Sequence, residues 1–353
     1  MKIEKISRRA LLGGSLMALI PFRLFAAGLK SDETVLFQPG YAMALNGEEV
    51  GIRISAWVFE FERRPGARTV FLNLLGVDFK KAAPNSREIF AQRSRYFLTD
   101  SERGKVLEVV TQTGETLTLP ATNRAGRVDH MAQIRLATNR KDPPKSIGFS
   151  VKAPGKADEG FSGIAHFIPE TGLSVVSDID DTIKISNVAN TRTLMRDSLI
   201  KPFAAVPGMA RRYQDLALEK GTSFHYLSSS PIQLLPALQQ FIDEAGFPAG
   251  SMHLRESTSW SNLIPGKGAS VRHKTAMLDQ LLADFPKRQF LLIGDSGEQD
   301  PEIYGEAARR FSTRDIRILI RRAPGAPATE ARFAAAFAGL NPDHWALIDT
   351  DAP

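Results

Sequence analysis

The chain has 353 residues, which suits two domains better than one. Its 43% hydrophobic and 24% charged residues are typical of a soluble globular protein, and the absence of cysteine excludes disulfide bonds and thiolate metal sites. The net charge of +6 is distributed unevenly, since residues 1–27 hold +4 and the remainder only +2. So weak an excess does not form a basic stripe for a phosphate backbone, and we expect no nucleic-acid partner.

The first 27 residues have the layout of an export signal. A basic start precedes an apolar run from Ala10 to Ile20, and the small residues of 26–28 end it. The run is shorter than the roughly 20 residues that span a bilayer. "SRRALL" resembles a twin-arginine signal, and the Gly-Gly-Ser interruption and Arg23 favour that route over general secretion. We expect 1–27 to be removed and the mature protein to be periplasmic; the alternatives are an uncleaved anchor or a merely basic amphipathic start.

Residues 28–168 have the alternation of β-strands. In "GIRISAWVF" and "SIGFSVK" every second residue is apolar. The dipeptides Asn46-Gly47 and Thr113-Gly114 are typical of hairpin turns. We therefore predict an antiparallel β-sandwich of seven to nine strands, with almost no helix.

Residues 169–353 have a different pattern. Short apolar runs without alternation ("LSVVSD", "SFHYLSS", "SMHLR", "QFLLIGD" and "DIRILIR") are separated by helical patterns, as at 234–242 and 277–282. This predicts an α/β domain with a Rossmann-like parallel sheet covered on both faces.

Three of these strands end in polar clusters: 178–182, 228–230 and 294–296. The carboxyl ends of parallel strands share one edge of the sheet, where ligands bind. Crowding three aspartates into "DIDDT" is unfavourable unless a turn, a cation or a substrate holds them. The clusters therefore predict one functional site.

The same clusters resemble the motifs of the haloacid dehalogenase phosphatase superfamily. "DIDDT" matches its DxDxT signature, Ser228 and Lys274 match its second and third motifs, and "GDSGEQD" matches GDxxxxD. "SDIDDTIKISNV", "FHYLSSSP" and "FLLIGDSGEQDPEIY" are similar, more narrowly, to the catalytic domain of the actin-patch-associated phosphatidate phosphatase family. The close resemblance covers about residues 170–325. A lone DxDxT is a weak motif, but four motifs in order are specific.

The resemblance implies a phosphoryl-transfer mechanism that these side chains suit chemically. Asp178 would attack phosphorus and form an acyl-phosphate. Asp180 would protonate the leaving group and then activate water. Ser228 would donate a hydrogen bond to the phosphoryl group, and Lys274 would neutralise its charge. Lys267 and Arg272 compete for the last role, but Lys274 stands at the start of a helix pattern.

Oxygen ligands without nearby His or Cys favour Mg²⁺. The predicted ligands are Asp178, the carbonyl group of Asp180, as the resemblance implies, and Asp295. Asp300 is a further ligand or a carboxylate that orients the waters of the ion, but its position before Pro301 is also typical of a helix cap.

The substrate is less sharply indicated. No segment is large enough for a separate cap domain over the site, and an open site suits a large or surface-bound phosphomonoester. We predict substrate contacts at Thr182, Lys184 and Ser229, with Lys201 and Arg255 as further head-group candidates. A turn is the preferred role of Asp181, and helix initiation remains an alternative role for Ser229 and Ser230. None of the six histidines is assigned to catalysis, and His225 is expected in the core.

The sequence therefore predicts a Mg²⁺-dependent phosphatase of phosphatidate or a related lipid phosphate, with contact to a membrane surface. A soluble phosphoester or a phosphoprotein is the alternative substrate. A binding protein whose β-rich half recognises a surface or a glycan is the alternative from another class. Shared catalytic motifs do not fix a substrate, and the oligomeric state is left open.

Overall fold

The computed structural model describes residues 27–46, 48–62, 66–80, 82–136, 144–155, 160–186, 191–256, 268–325 and 329–349. The predicted export signal thus falls almost entirely outside the described residues. Within them, no helix has both the length and the apolar character needed to cross a membrane.

The first half is a nine-stranded sheet. Its strands are β1 (Glu33–Gln38), β2 (Gly40–Ala44), β3 (Glu49–Phe61), β4 (Thr99–Ser101), β5 (Glu108–Thr111), β6 (Thr116–Thr118), β7 (Arg127–Arg135), β8 (Ser146–Lys152) and β9 (Gly160–Ile168). They run in the order β1-β3-β2-β9-β8-β5-β6, with β4 and β7 also paired to β3. All pairs are antiparallel except β2 with β9.

The long strand β3 separates two environments. Its even-numbered residues from Val50 to Val58 are buried with Phe37 and Phe149 in a core enclosed by the sheet itself, as the alternation predicts. Its odd-numbered residues face the opposite side, where Trp57 and Phe59 join a core shared with the second half.

Two helices depart from the all-strand prediction for this half: α1 (Ala67–Leu75) and α2 (Ser86–Ser94). The signal for α1 is weak, because Gly66 precedes it and its first turn has no acidic residue. Phe71 and Leu75, four residues apart, bury one face of this helix in the core shared with the second half. Tertiary packing thus outweighs a poor local start signal.

The second half contains a parallel six-stranded sheet, as predicted. Its strands are β10 (Leu173–Ser177), β11 (Ser223–Pro231), β12 (Ser251–Arg255), β13 (Gln289–Asp295), β14 (Ile316–Arg321) and β15 (Trp345–Ile348), in the order β12-β11-β10-β13-β14-β15. The helices are α3 (Thr191–Ile200), α4 (Met209–Ala217), α5 (Leu235–Glu244), α6 (Ala269–Asp284), α7 (Asp300–Arg310) and α8 (Glu330–Ala336).

Helices cover this sheet on both faces. Residues of α3, α4 and α5 pack in one hydrophobic core, and residues of α6, α7 and α8 pack in another. Strand β10 is central, with β11 on one side and β13 on the other, so the chain reverses its direction of travel across the sheet at β10. Crevices at such a switch point are the usual ligand sites of parallel sheets.

Candidate active site

The carboxyl ends of β10, β11 and β13 bring the predicted polar clusters together. Asp178 directly follows β10, Ser228 lies near the end of β11, and Asp295 ends β13. All three side chains are buried, with at most 1% exposure. The sequence prediction of one site at three strand ends therefore agrees with the geometry.

Lys274 lies at the centre of the carboxylate cluster. It projects from α6 and is fully buried. Its Nζ lies 2.7 Å from Asp178 Oδ1, 2.6 Å from Asp300 Oδ1 and 2.9 Å from Glu298 Oε2. The contact with Asp178 lacks hydrogen-bond geometry, so Asp178 Oδ1 accepts no hydrogen bond from any residue that the structure describes. Lys274 thus contacts residues of both the first and the fourth motif.

The cluster carries more negative than positive charge. Burial raises the pKa of Asp178 well above its ordinary value, and Lys274 only partly offsets this. Burial and the charge of Asp300 likewise raise the pKa values of Asp295 and Glu298. Burial alone would lower the pKa of Lys274, but its three carboxylate partners raise it well above the usual range. One ammonium group among four carboxylates leaves a site that a divalent cation would stabilise.

The loop after β13 orients the Asp295 carboxylate. Its Oδ1 accepts hydrogen bonds from the backbone N–H groups of Gly297, at 2.5 Å, and Glu298, at 3.1 Å. Its Oδ2 is buried and accepts no hydrogen bond from the described residues. Asp178 Oδ1 and Asp295 Oδ2 are therefore two buried carboxylate oxygens with unused acceptor capacity.

Asp300 points into the site instead of capping its helix. It is the first residue of α7, whose N-cap is Gln299, and its Oδ2 accepts from the backbone N–H of Asp295 at 3.3 Å. A Cβ at Gly294 would lie 2.5 Å from the same Oδ2, so only glycine leaves room for this carboxylate. The helix-cap alternative therefore does not hold, and the role of Asp300 as a ligand or as a carboxylate that orients the waters of the ion stays a prediction.

Asp180 has a separate set of partners. Its Oδ1 lies 2.6 Å from Lys184 Nζ and accepts a 2.7 Å hydrogen bond from Ser186 Oγ. Its Oδ2 accepts from Ser230 Oγ at 2.9 Å and from Ser228 Oγ at 3.3 Å. Burial opposes ionisation, but Lys184 and the hydroxyl groups prevail and lower the pKa of Asp180 to about 2. The candidate acid/base is thus an ionised carboxylate with polar contacts to four side chains.

Of the other predicted substrate residues, Thr182, Ser229 and Arg255 also lie here, whereas Lys201 does not. Thr182 Oγ1 donates to Asp178 Oδ2 at 3.0 Å and so orients the candidate nucleophile. Ser229 Oγ forms a short hydrogen bond with Ser270 Oγ of α6, and its carbonyl oxygen accepts from Arg255 at 3.1 Å. Lys201 is exposed on the surface and pairs with Asp197 at 2.6 Å. Lys201 therefore lies outside the buried cluster.

Asp181 forms the turn between these groups. Among the described residues other than glycine, Asp181 is the one with a left-handed backbone, at φ 56°. Its Oδ1 accepts from the backbone N–H of Ser186 at 2.7 Å, and its carbonyl oxygen accepts from Arg321 at 2.6 Å. Asp181 is buried, so its turn is not the solvated kind considered from the sequence.

Sequence reasoning missed four residues of the site. Glu298 lies inside the fourth motif. The signal that distinguishes it is its contact with Lys274, which is visible in the folded structure and not in the sequence. Ser186 follows the first motif, Arg321 ends β14, and Arg332 of α8 donates to the carbonyl oxygen of Glu298 at 2.6 Å. The predicted core position of His225 agrees with the structure, since His225 is buried and forms a 2.7 Å hydrogen bond with Ser251 Oγ.

Within the part of the chain that the structure describes, two groups of three acidic side chains are close enough to share a metal ion. Asp178, Glu298 and Asp300 form one, with ligand atoms within 4.8 Å of one another. Glu60, Glu62 and Asp100 form the other at partly exposed positions. The first group shares Asp178 and Asp300 with the predicted ligands, but it includes Glu298 and lacks Asp295.

The part of the chain that holds this site is similar to known proteins. Residues 173–322 match the family model described as phosphatidate phosphatase APP1, catalytic domain. Phosphatidate phosphatase APP1 of Saccharomyces cerevisiae is 32% identical over 206 residues, which are 56% of this chain and 34% of that protein. An uncharacterised protein of Schizosaccharomyces pombe is 29% identical over 208 residues, 57% of this chain and 34% of that protein.

The matched region spans about a third of the length of these curated relatives. A solved carbohydrate esterase chain aligns over 90% of this chain and 88% of its own, but with 9% identity and a TM-score of 0.19 it carries no argument. The matched segment contains Asp178, Ser228, Lys274 and Asp295. Residues 173–322, the part of the chain that holds the candidate site, are therefore similar to the phosphatidate phosphatase APP1 catalytic domain.

Proposed function

We propose that this protein is a phosphomonoesterase of the haloacid dehalogenase type, which hydrolyses phosphatidate or a related lipid phosphate through a phosphoaspartate on Asp178. The observation that carries the proposal is the contact of Lys274 with Asp178 and Asp300, because it joins three of the four motifs in one buried cluster.

The first half-reaction needs an in-line nucleophile and a proton donor. A carboxylate oxygen of Asp178 forms a bond to phosphorus while the bond from phosphorus to the leaving oxygen breaks. Asp180 delivers a proton to that oxygen. In the second half-reaction Asp180 removes a proton from water, which attacks phosphorus and releases inorganic phosphate and free Asp178.

Neighbouring groups orient and neutralise the reacting ones. Thr182 fixes one oxygen of Asp178, at 3.0 Å, and leaves the other directed toward Lys274. Lys274 offsets the charge of the phosphoryl oxygens, and Ser228 donates a hydrogen bond to one of them. Ser228 Oγ lies 3.3 Å from Asp180 in this structure, so its hydroxyl group exchanges one acceptor for another when substrate binds.

The residues present suit Mg²⁺. Asp178 Oδ1 and Asp295 Oδ2 are buried hard ligands that accept no hydrogen bond from the described residues, and the excess of carboxylates calls for positive charge. Asp178, Asp295 and the carbonyl group of Asp180 would hold the ion, with Asp300 and Glu298 beside it. When bound, the ion supplies charge that stabilises the phosphoryl group.

A lipid phosphate is the favoured substrate because the related yeast protein is named a phosphatidate phosphatase. The first alternative is a soluble phosphoester or a phosphoprotein handled by the same residues. The second is a non-catalytic binding protein whose β-rich half recognises a surface or glycan. The complete set of charged residues favours an enzyme.

The remaining organisation is also proposed. Residues 1–27 act as a twin-arginine-like export signal, 28–168 form the β-rich domain and 169–353 the phosphatase domain. The protein would act in the periplasm and contact a membrane surface while its substrate is bound. Fractionation of cells that produce the full chain, with Arg8→Lys and Arg9→Lys as the export control, tests its location.

The phosphoaspartate can be tested by trapping. Phosphatidate or an aryl phosphate labelled with ³²P is mixed with enzyme and Mg²⁺, and the reaction is quenched in acid within milliseconds. We expect protein-bound label that hydroxylamine releases and that Asp178→Asn lacks. Turnover without any trapped label, or trapped label in Asp178→Asn, would contradict the mechanism.

A further inference from the structure

A pocket of about 210 Å³ lies between the β-rich half and the α/β half. One wall is the outer face of β3 and β7, and the other is formed by the end of β12 and by α6. Its volume is below the roughly 300–1,000 Å³ of drug-sized ligand sites, so it suits a small ligand. We call it the junction pocket.

Arg127 is the unusual residue of the junction pocket. Its side chain lines the pocket and is 5% exposed. Its Nη2 donates to Ser55 Oγ at 3.1 Å. Its Nε and Nη1 are buried, and neither donates a hydrogen bond to any residue that the structure describes. Two donor groups of a permanently charged guanidinium are therefore left without acceptors.

A second arginine in the same pocket, Arg53, has its charge compensated by a carboxylate. Arg53 donates to both carboxylate oxygens of Asp129, at 3.0 and 2.5 Å. Asp129 is thereby engaged, although it lies two residues from Arg127 on the same face of β7. Glu256 lines the pocket and its charge favours ionised Arg127, but the two form no ion pair among the described residues.

A buried cation that lacks acceptors for two of its donor groups is destabilising, because solvation and charge compensation are lost. An anion with accessible oxygens would supply both. We propose that the junction pocket binds a small oxyanion, either a phosphate or a carboxylate group, through the guanidinium of Arg127. Lys274 and its carboxylates are not among the residues that line it, so this is a second site.

Thermal unfolding in the presence of chelator tests the proposal. Inorganic phosphate and acetate are titrated separately, with chloride keeping the ionic strength constant. At a tenfold excess over Kd, the unfolding midpoint should rise by about 2 °C with the anion that fits. A rise with phosphate alone assigns a phosphate site, and a rise with acetate assigns a carboxylate site.

Variants separate this site from other effects. Arg127→Met should abolish the rise without lowering the midpoint in chloride, because the buried charge is gone. If Arg127→Met does not fold, Ser55→Ala takes its place and should weaken anion binding several-fold. Glu256→Gln should tighten anion binding, because it removes a negative charge that repels the anion. Asp178→Asn should keep the full response.

Three results would overturn the proposal. One is a wild-type midpoint that neither anion changes, and another is an equal rise in wild type and Arg127→Met. The third is a response that disappears in Asp178→Asn, which would place the anion at the catalytic cluster.

Discussion

Lys184 Nζ lies 2.6 Å from Asp180 Oδ1, so the candidate acid/base is held ionised by a buried lysine. A general acid must carry a proton when the leaving group departs. We infer that substrate draws Lys184 toward its phosphate or head group and allows Asp180 to accept a proton. Lys184 would then couple substrate binding to acid catalysis.

The role of Asp180 predicts a dependence on the leaving group. Asp180→Asn should lower kcat/KM for an alkyl phosphate by about 10²–10⁴, the usual contribution of a general acid. The loss should be much smaller for a nitrophenyl phosphate, whose leaving group departs without a proton. Steady-state kinetics with both substrates checks this. Equal losses on both would assign Asp180 to structure or metal binding alone.

The position of Lys184 predicts a role in substrate choice. Lys184→Met should reduce the preference for phosphatidate over an aryl phosphate, because the variant cannot pair with the head-group charge. We expect kcat/KM for phosphatidate in mixed micelles to fall at least about tenfold, the effect of roughly 1.4 kcal/mol. Lys287→Met is the control, since Lys287 pairs with exposed Glu170 near the start of β13. Unchanged kinetics in Lys184→Met would remove Lys184 from substrate binding.

Gly294 is expected to be intolerant of any side chain. A Cβ at this position would lie 2.5 Å from Asp300 Oδ2 and 2.8 Å from the Tyr304 ring. Gly294→Ala should therefore displace Asp300 and lower both activity and Mg²⁺ affinity by tenfold or more. Gly148→Ala is the matched control in β8, where the new Cβ meets the flexible end of Gln112. Full activity in Gly294→Ala would show that the position of Asp300 is unimportant.

Arg332 is expected to position the fourth motif. It reaches from α8 to the carbonyl oxygens of Ser296 and Glu298 and pairs with Glu302. Arg332→Gln should lower kcat several-fold with little change in KM, because the loop that holds Asp295 loses its outer support. Arg309→Gln removes a comparable bond, to the carbonyl oxygen of Ala336, without contact to that loop. Equal effects of both changes would indicate lost stability instead.

Buried histidines predict a loss of stability in acid. Burial lowers the pKa of His253 to about 3 and that of His273 to about 4, both from 6.5. Their contribution to the free energy of unfolding is complete above pH 6.5. It declines as the pH falls toward the lowered pKa values, because the unfolded chain binds the protons first. The slope is about 1.4 kcal/mol per pH unit for each fully titrating group.

Urea unfolding at pH 7.5, 6 and 5 of wild type and His253→Gln measures this contribution. The raised pKa values of Asp178 and Asp295 act in the opposite sense, so the difference between the two proteins isolates the histidine. The stability advantage of wild type should shrink as the pH falls. A difference that is independent of pH would show that His253 does not titrate as buried.

The sequence predicts the location of the site better than its contacts. Parallel strands fix which ends meet, so Asp178, Ser228 and Asp295 could be placed together from the apolar runs alone. Nothing in the spacing indicates that Lys184 folds back on Asp180, because that contact depends on the left-handed turn at Asp181. Glu298 was missed for the same reason, since loop geometry aims it at Lys274.

The β-rich half shows the same limit. Alternation identifies the buried face of β3, but it does not reveal that the opposite face packs against the α/β half through Trp57 and Phe59. Helix α1 escaped prediction because its packing, not its local sequence, stabilises it. The domain boundary near residue 168 stays a prediction.

Phosphate release from phosphatidate in mixed micelles, beside release from a soluble aryl phosphate, tests the central claim most directly. Both reactions are run with Mg²⁺ and with chelator, for wild type and Asp178→Asn. We predict Mg²⁺-dependent release that favours phosphatidate and disappears in Asp178→Asn. Release from the soluble ester alone would contradict the lipid assignment, and release that persists in chelator or in Asp178→Asn would contradict the proposed chemistry.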